Sequence, residues 1–158
     1  MKRIKIYLES SALWNVYYDE AGAEIVEHVL ADRKYACTSS IWSMLELHRG
    51  IKKRENQGEI NAGEASHLRT FIDTDLKQLE LAGSLSLQPI SPEAIDLAKR
   101  LINDHNLYSS DALQLATAIH ESCSTIVVDD FHHERLSAKI SSEYGVKIVP
   151  TSAGISGL

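Results

Sequence analysis

In the stretch KRIKIYLESSALW, residues 2–14, a short apolar strand pattern stops at a carboxylate and two hydroxyls, and a helix pattern begins directly afterwards. Ser10 or Ser11 can cap that helix, because a serine hydroxyl accepts a hydrogen bond from a backbone N–H group of the first turn. Capping accounts for the serines and leaves Glu9 unexplained. A carboxylate at the end of a core strand is therefore our first candidate for a functional side chain.

Short strand patterns alternate with longer helical patterns along the whole chain. Five runs rich in β-branched residues or Tyr are too short for helices, and they lie at 4–8, 35–38, 85–90, 125–128 and 147–149. Helices are predicted at about 11–18, 22–33, 40–55, 61–81, 91–105, 109–122 and 133–144. Strands that alternate with helices are typical of an α/β fold with a parallel sheet.

Length and composition indicate one globular domain over residues 1–158, with a small polar tail from about 151 that we expect to fray. No run approaches the roughly 20 apolar residues of a membrane span, and Glu9 interrupts the first apolar run before it reaches the length of a signal peptide. We therefore expect a cytoplasmic protein that does not enter a membrane. Cys37 and Cys123 lack the spacing of a zinc or redox site, so both are predicted to be free and buried.

The net charge of −6 gives the whole molecule no general attraction for nucleic acid. A polyanion would have to be bound locally, and the sequence HRGIKKR at 48–54 is the basic cluster that offers such a place. The same cations also fit the end of a helix, where they interact favourably with the helix dipole. The cluster is therefore a candidate phosphate contact with an ordinary structural alternative.

Acidic residues occur where a parallel sheet usually binds its ligands, beyond the carboxyl ends of the strands. Glu9 follows the first strand run, Asp129 and Asp130 follow the fourth, and Asp111 lies in the first turn of a predicted helix. Glu46 lies at the border of the apolar face of the helix predicted at 40–55. Each acid alone is also explained as an ordinary exposed residue.

Brought together, these acids would repel one another unless a cation held them. Oxygen ligands without a matching His or Cys pattern favour Mg²⁺ or Mn²⁺ over zinc. The sequence therefore predicts a site for a hard divalent cation at the carboxyl edge of the sheet, provided that the acids converge there.

Four short motifs contain these acids, namely IYLESSAL at 6–13, MLEL at 44–47, SDALQLATA at 110–118 and IVVD at 126–129. In order and spacing they resemble the motifs of PIN-domain ribonucleases, and most closely those of the toxins of type II toxin–antitoxin pairs. The third motif is the most specific and the second the least. The resemblance extends over nearly the whole chain, from about residue 4 to about residue 149.

The resemblance implies a three-layer α/β/α sandwich around a mainly parallel sheet, and a metal-dependent endoribonuclease. It implies a catalytic set made of Glu9, Glu46, Asp111, Asp129 and the hydroxyl of Ser11. The implied ligands of Mg²⁺ or Mn²⁺ are Glu9, Asp111 and Asp129, with Asp130 as the alternative to Asp129, because a pattern does not separate adjacent residues. RNA is the implied substrate, and an antitoxin and a second copy of the chain are the implied partners.

The basic cluster has a place in this interpretation, as the group that would hold the phosphates on either side of the cut bond. Its members are Arg49, Lys52, Lys53 and Arg54.

Two positions depart from the usual family pattern. Glu9 stands where the family usually has Asp, and Val127 stands where it usually has Ser or Thr. The longer Glu side chain moves its oxygens outward by about one methylene, and a displacement near 1 Å can lower a rate by ~10²-fold. The rival interpretation is therefore a binding module of the same architecture that is catalytically weak or silent.

Overall fold

The computed structural model describes residues 2–129 and 134–158. Its strands form one sheet and are β1 (Ile4–Leu8), β2 (Tyr35–Ser40), β3 (Leu85–Gln88), β4 (Thr125–Val128) and β5 (Lys147–Pro150). The strand order is β3-β2-β1-β4-β5, and each pair of neighbours is parallel. Because β1 is central and pairs directly with β4, the residues that follow these two strands emerge side by side at the carboxyl edge.

The helices of the described residues are α1 (Ser10–Tyr17), α2 (Ala23–Ala31), α3 (Ile41–Asn56), α4 (Ala62–Leu81), α5 (Pro92–His105), α6 (Ser109–His120) and α7 (Glu134–Tyr144). None of them combines the length and the apolar character that a membrane crossing requires. Buried side chains of α1 to α4 pack with Ile6 and Leu8 on one face of the sheet, whereas those of α5 to α7 pack with Tyr7 on the other. The predicted α/β/α sandwich around a parallel sheet is confirmed.

The helix boundaries follow local capping chemistry. Ser91 Oγ accepts from the backbone N–H of Ala94 at 3.1 Å and Pro92 occupies the first position of α5, as the sequence predicted. Asn61 and Glu64 form a reciprocal capping box at the start of α4. The polar stretch between α3 and α4 turns at a glycine, Gly58, whose φ of +73° lies in the left-handed region that favours glycine.

The first residue of the polar tail, Thr151, is buried and hydrogen-bonded, and fraying of the tail stays a prediction. Its side chain is 2% exposed, and it begins a short 3₁₀ turn, Thr151–Ala153, directly after β5. The physical reason is a hydrogen bond of 2.9 Å from Thr151 Oγ1 to Asp129 Oδ1, which anchors the end of β5 to the end of β4.

The two cysteines are free and buried, as predicted. Burial raises the pKa of both Cys37 and Cys123 to about 12. Both side chains therefore remain protonated thiols at neutral pH, and they act as small apolar groups in the two halves of the core.

Candidate active site

A cleft of about 430 Å³ opens at the carboxyl edge of the sheet. Three carboxylates line it from separate parts of the chain: Glu9 at the end of β1, Glu46 in the middle of α3 and Asp111 in the first turn of α6. Much of the remaining wall is apolar, and Trp14, Leu47, Leu107, Leu115, Ile126 and Val128 belong to it. The fold thus brings together acids that lie far apart in sequence, inside walls that carry few competing charges.

Glu9 is buried at the base of this cleft and is held by the two serines that follow it. Glu9 Oε1 accepts from Ser10 Oγ at 2.8 Å, while Oε2 accepts from the backbone N–H of Ser11 at 3.0 Å and from Ser11 Oγ. Glu9 therefore caps α1 itself, which explains why the strand ends on a carboxylate. Burial raises the pKa of Glu9, and the nearby charge of Glu46 raises it further, although the serine hydrogen bonds oppose that shift.

Ser11 joins Glu9 to the end of β4. Its hydroxyl donates to the Glu9 carboxylate and accepts from the backbone N–H of Asp129 at 2.9 Å. One side chain therefore sets the distance between the acid that follows β1 and the acid that follows β4. This contact is what the strand order makes possible, since β1 and β4 are paired neighbours.

Asp111 lies at the mouth of the cleft. The residue as a whole is exposed, and no hydrogen bond to its carboxylate occurs within residues 2–129 and 134–158. Partial burial of its carboxyl group raises the pKa of Asp111, and so does the charge of Glu46. Glu46 is thus the charged neighbour that the other two acids share.

The buried side-chain amide of Gln114 on α6 orients the carboxylate of Glu46. Gln114 Nε2 donates to Glu46 Oε1 at 2.6 Å and to Ser43 Oγ at 3.0 Å. The amide oxygen of Gln114 accepts from the hydroxyl of Tyr7, a side chain on β1 that is 0% exposed. A continuous polar chain therefore runs from the middle of the sheet, through α6, to the carboxylate on α3.

Replacing Gln114 by Met tests this chain of contacts through stability. We expect the free energy of unfolding to fall by about 1–3 kcal/mol, because the Tyr7 hydroxyl would lose the Gln114 acceptor in a buried place. A second substitution, Tyr7→Phe, should not add to this loss and should recover part of it, since it removes the unpaired hydroxyl. Urea unfolding of the single and double variants measures both effects.

The control for this prediction is Gln88→Met. Gln88 lies at the end of β3, where its amide donates to Ser86 Oγ in an exposed contact, so its replacement should change stability by less than about 0.5 kcal/mol. Strictly additive losses in the Tyr7→Phe, Gln114→Met double variant would contradict the proposed contact.

Asp129 is held by side chains from two other parts of the chain. Its Oδ1 accepts from Asn15 Nδ2 at 2.6 Å and from Thr151 Oγ1 at 2.9 Å. Asn15 is 0% exposed, and its amide therefore ties α1, β4 and the turn after β5 together through one carboxylate oxygen. Asp129 lies behind Ser11 rather than in the wall of the cleft, and Asp130 lies outside the described residues.

Removing the Thr151 hydroxyl should therefore loosen Asp129. We expect Thr151→Val to lower the free energy of unfolding by about 1.5–3 kcal/mol, the range for hydrogen bonds to charged groups. Thr117→Val is the matched control, because Thr117 is equally buried but its hydroxyl donates only to the Leu113 carbonyl at 2.8 Å. Equal losses in the two variants, measured by urea unfolding, would mean that Thr151 contributes no more than a neutral hydrogen bond.

The donor chemistry of the cleft fits a divalent cation. Among the residues described, no three acidic, His or Cys side chains lie close enough together to hold one ion as a complete protein cage. Mg²⁺ does not require such a cage, because it commonly binds one or two carboxylates and keeps several waters. The mutual repulsion of the carboxylates around Glu46 supports the same conclusion, since a cation would relieve it.

The basic cluster of α3 lies near the described acids in sequence but is partly engaged in ion pairs. Arg54 contacts Glu20 at 2.7 Å and Glu59 at 2.5 Å, and its guanidinium lies 4.6 Å from the ring centre of Tyr18. Lys52 pairs with Glu55 at 3.1 Å. Arg49 and Lys53 are exposed.

Three residues of the site were absent from the sequence prediction. Gln114, Asn15 and Thr151 position the acids through hydrogen bonds rather than lining the cleft with charge. A signal existed for the first two, because each is a single amide within an otherwise apolar helical run, WNV for Asn15 and ALQLA for Gln114. A polar group on a buried face needs a buried partner. No comparable signal marked Thr151 in the small polar tail.

Comparison with protein families gives a match over most of the chain. The family model described as PIN domain matches residues 6–139. A search of curated proteins found no match.

Several solved structures are similar in fold. VapBC2 from Rickettsia felis, bound to a DNA fragment from its promoter, has a TM-score of 0.63 at 12% identity, covering 93% of this chain and 98% of the other. A toxin–antitoxin complex from Klebsiella pneumoniae has a TM-score of 0.59 at 16% identity, covering 92% and 97%. VapBC-5 from Mycobacterium tuberculosis, a toxin–antitoxin system, has a TM-score of 0.55 at 16% identity, covering 92% and 98%. At these identities the likeness concerns the fold.

Proposed function

This chain belongs to the PIN domain family, and we propose that it is a divalent-metal-dependent endoribonuclease that hydrolyses phosphodiester bonds of RNA. One observation carries the proposal: Glu9, Glu46 and Asp111 line one cleft at the carboxyl edge of the sheet, where the charge of Glu46 raises the pKa of the other two. Three carboxylates in a largely apolar cleft contribute little to stability, because like charges repel. Their arrangement is explained by a reaction that needs a bound cation.

In this proposal Glu9 and Asp111 would hold Mg²⁺ or Mn²⁺ with waters in the remaining positions. Asp129, or its alternative Asp130, which lies outside the described residues, is the further candidate ligand. When bound, the ion supplies positive charge at the scissile phosphate and lowers the pKa of an attacking water. Glu46 faces the same cleft as a third carboxylate that can accept a proton from that water. The products would carry a 5′-phosphate and a 3′-hydroxyl, as in the family.

The residues around the acids act by positioning them. Ser11 fixes Glu9 relative to the Asp129 backbone, and Gln114 fixes one oxygen of Glu46. Burial of Glu9 limits the number of waters that reach its carboxylate, which strengthens its interaction with any cation. The side chains that hold the acids are themselves buried and hydrogen-bonded. The acids therefore need to reorganise little during the reaction, and the free-energy cost of that reorganisation is small.

We propose that the basic residues of α3 hold phosphates that flank the cut bond. Arg49 and Lys53 are exposed and available for this role, and Lys52 and Arg54 would exchange a carboxylate partner for a phosphate. Because these contacts do not depend on base identity, they would add affinity and a dependence on salt concentration rather than specificity.

The biological role that we propose is that of a toxin held in check by an antitoxin, acting in the cytoplasm as a homodimer. The support for the toxin role and for an antitoxin is the similarity to solved toxin–antitoxin complexes, each of which is matched over more than nine tenths of this chain. An antitoxin would be identified as a small protein that co-purifies with this chain and suppresses its effect on growth.

Cleavage of single-stranded RNA by the purified protein tests the proposed activity. We expect cleavage in Mg²⁺ or Mn²⁺ and none in EDTA, with 5′-phosphate ends that a phosphate-dependent exonuclease degrades. Metal-independent cleavage, or no cleavage in either metal, would contradict the proposal. RNA binding without cleavage would favour the silent binding module, and a large gain of activity in Glu9→Asp would then identify the native Glu as the cause.

A further inference from the structure

Tyr108 is the most exposed large hydrophobic side chain of the described residues, at 84%. It also lines the acidic cleft, and it precedes Asp111 by only three positions. A tyrosine usually buries much of its ring, because the ring contributes a large apolar area. This ring gains almost none of that burial from its own chain.

Local structure does not explain a tyrosine at this position either. Tyr108 is the N-cap residue of α6, and its side chain makes no capping hydrogen bond. Ser, Asp or Asn at an N-cap would stabilise the helix, typically more than residues that lack a suitable oxygen acceptor. Neither core packing nor helix capping therefore accounts for the aromatic ring.

The backbone that carries the ring is nevertheless held in place. The link between α5 and α6 is short, and it begins at Asn106, which has a left-handed φ of +53° and caps α5. On the other side of Tyr108, Ser110 Oγ accepts from the indole N–H of Trp42 at 3.0 Å, which ties the start of α6 to α3. The ring is thus presented on a fixed support at the mouth of the cleft.

The charge of the cleft limits how a nucleic acid can bind there. The carboxylates repel phosphates in the absence of a cation, so affinity close to the site must come from uncharged parts of the strand. A base stacked on an exposed aromatic ring provides such affinity, and it does so for each of the four bases. Single strands offer unstacked bases for this contact, whereas a duplex does not.

We propose that Tyr108 is a stacking platform for one base of a single-stranded RNA beside the scissile phosphate. This inference rests on the proposed function, since it names how the same site holds its substrate. It predicts a preference for single-stranded over double-stranded RNA, and little discrimination among bases at the stacked position.

The experiment is a titration of a short single-stranded RNA that carries 2-aminopurine, with metal ions removed by EDTA so that the strand stays intact. Stacking quenches 2-aminopurine fluorescence, so the signal reports the contact itself. We expect Tyr108→Ala to weaken binding by about 5- to 150-fold and to abolish the quenching. Tyr108→Phe and Tyr108→Trp should bind and quench as the native chain does.

Phe71→Ala is the matched control. Phe71 is also an exposed aromatic residue, at 53%, but it lies on α4 outside the cleft lining, so its loss should leave RNA binding unchanged. Because the Tyr108 ring is exposed, Tyr108→Ala should unfold at the same urea concentration as the native chain. In cleavage assays the variant should raise KM more than it lowers kcat.

Unchanged RNA affinity and quenching in Tyr108→Ala would overturn the inference and would favour contact of the ring with a protein partner. Equal losses of RNA affinity in Tyr108→Ala and Phe71→Ala would overturn it as well, because the loss would then not depend on the position of the ring in the cleft. If the native chain binds and quenches the RNA but never cuts it, the proposed function fails and the stacking platform stands. A native chain that does not bind the RNA in EDTA would overturn the stacking platform but not the proposed function, which the cleavage assay in Mg²⁺ or Mn²⁺ decides.

Discussion

We expect Asp111→Asn to lower the rate of RNA cleavage by about 10²- to 10³-fold and to leave the fold at least as stable as before. Asp111 is the acid at the mouth of the cleft, and its side chain takes no part in a described hydrogen bond that supports the core. The amide of Asn matches the shape of the carboxylate but carries no charge, so a cation bound there would lose one of its strongest ligands. The measurement is the single-turnover rate of cleavage in Mg²⁺ or Mn²⁺.

The stability of the same variant provides the decisive comparison. Because burial and the charge of Glu46 raise the pKa of Asp111, the ionised side chain is unfavourable in the metal-free fold. Removing that charge should leave the free energy of unfolding unchanged or slightly higher in EDTA. Asp96→Asn, at an exposed ion pair on α5, is the control and should cleave normally. Cleavage by Asp111→Asn at the native rate would exclude Asp111 from the reaction.

Glu9→Gln should lower the rate of RNA cleavage and raise the free energy of unfolding. We expect cleavage to fall by about 10²-fold or more, because the variant removes a charge from the base of the cleft. We expect the free energy of unfolding in EDTA at pH 7 to rise, by about 1.4 kcal/mol for each unit by which folding raises the pKa of Glu9. Such a trade-off is typical of residues kept for function.

The sign of the pH dependence follows from the raised pKa of Glu9. In the unfolded chain the carboxyl has its ordinary value of 4.5, and in the fold the value is higher, so folding favours the protonated form. Below pH 4.5 both states are protonated and no penalty exists. As the pH rises from 4.5 through the higher folded value, the native chain loses stability, and above that value the loss is complete.

The difference between Glu9→Gln and the native chain should therefore be small at low pH, grow as the pH rises, and level off. Urea unfolding in EDTA between pH 4 and pH 8 measures it, with Glu24→Gln on the exposed face of α2 as the control. Adding Mg²⁺ at pH 7 should stabilise the native chain more than the variant, since ligand binding stabilises only the state that binds. A difference that shrinks as the pH rises would contradict this account of Glu9.

Those parts of the structure that depend on local periodicity could be predicted from the sequence. Apolar patterns predicted the five strands and the seven helices that alternate with them, with bounds close to the observed ones. The Ser91 and Pro92 start of α5 depends only on neighbouring residues. The convergence of Glu9 with Asp111 followed from a general property of parallel sheets, namely that ligands bind beyond the carboxyl ends of the strands.

Contacts between distant polar side chains could not be predicted in this way. The partners of Arg54 include Glu20, which lies 34 positions away, and the choice between ion pairing and solvent depends on the packing of α1 against α3. The role of Thr151 depends on where the turn after β5 falls relative to Asp129. The sequence around Arg54 and around Thr151 shows no pattern that predicts these contacts. An arginine or a threonine side chain is equally compatible with exposure to water.

The hydrogen-bonded series from Tyr7 through Gln114 to Glu46 has an evolutionary consequence. In homologues with an apolar residue at the position of Gln114, a tyrosine at position 7 would lose this hydrogen-bond acceptor for its buried hydroxyl. We therefore expect such homologues to carry Phe or an aliphatic residue in place of Tyr7. Positions 7 and 114 are therefore expected to vary together across the family, even though 107 residues separate them in the chain. A substitution at only one of the two positions would destabilise the fold and should therefore be rare among homologues.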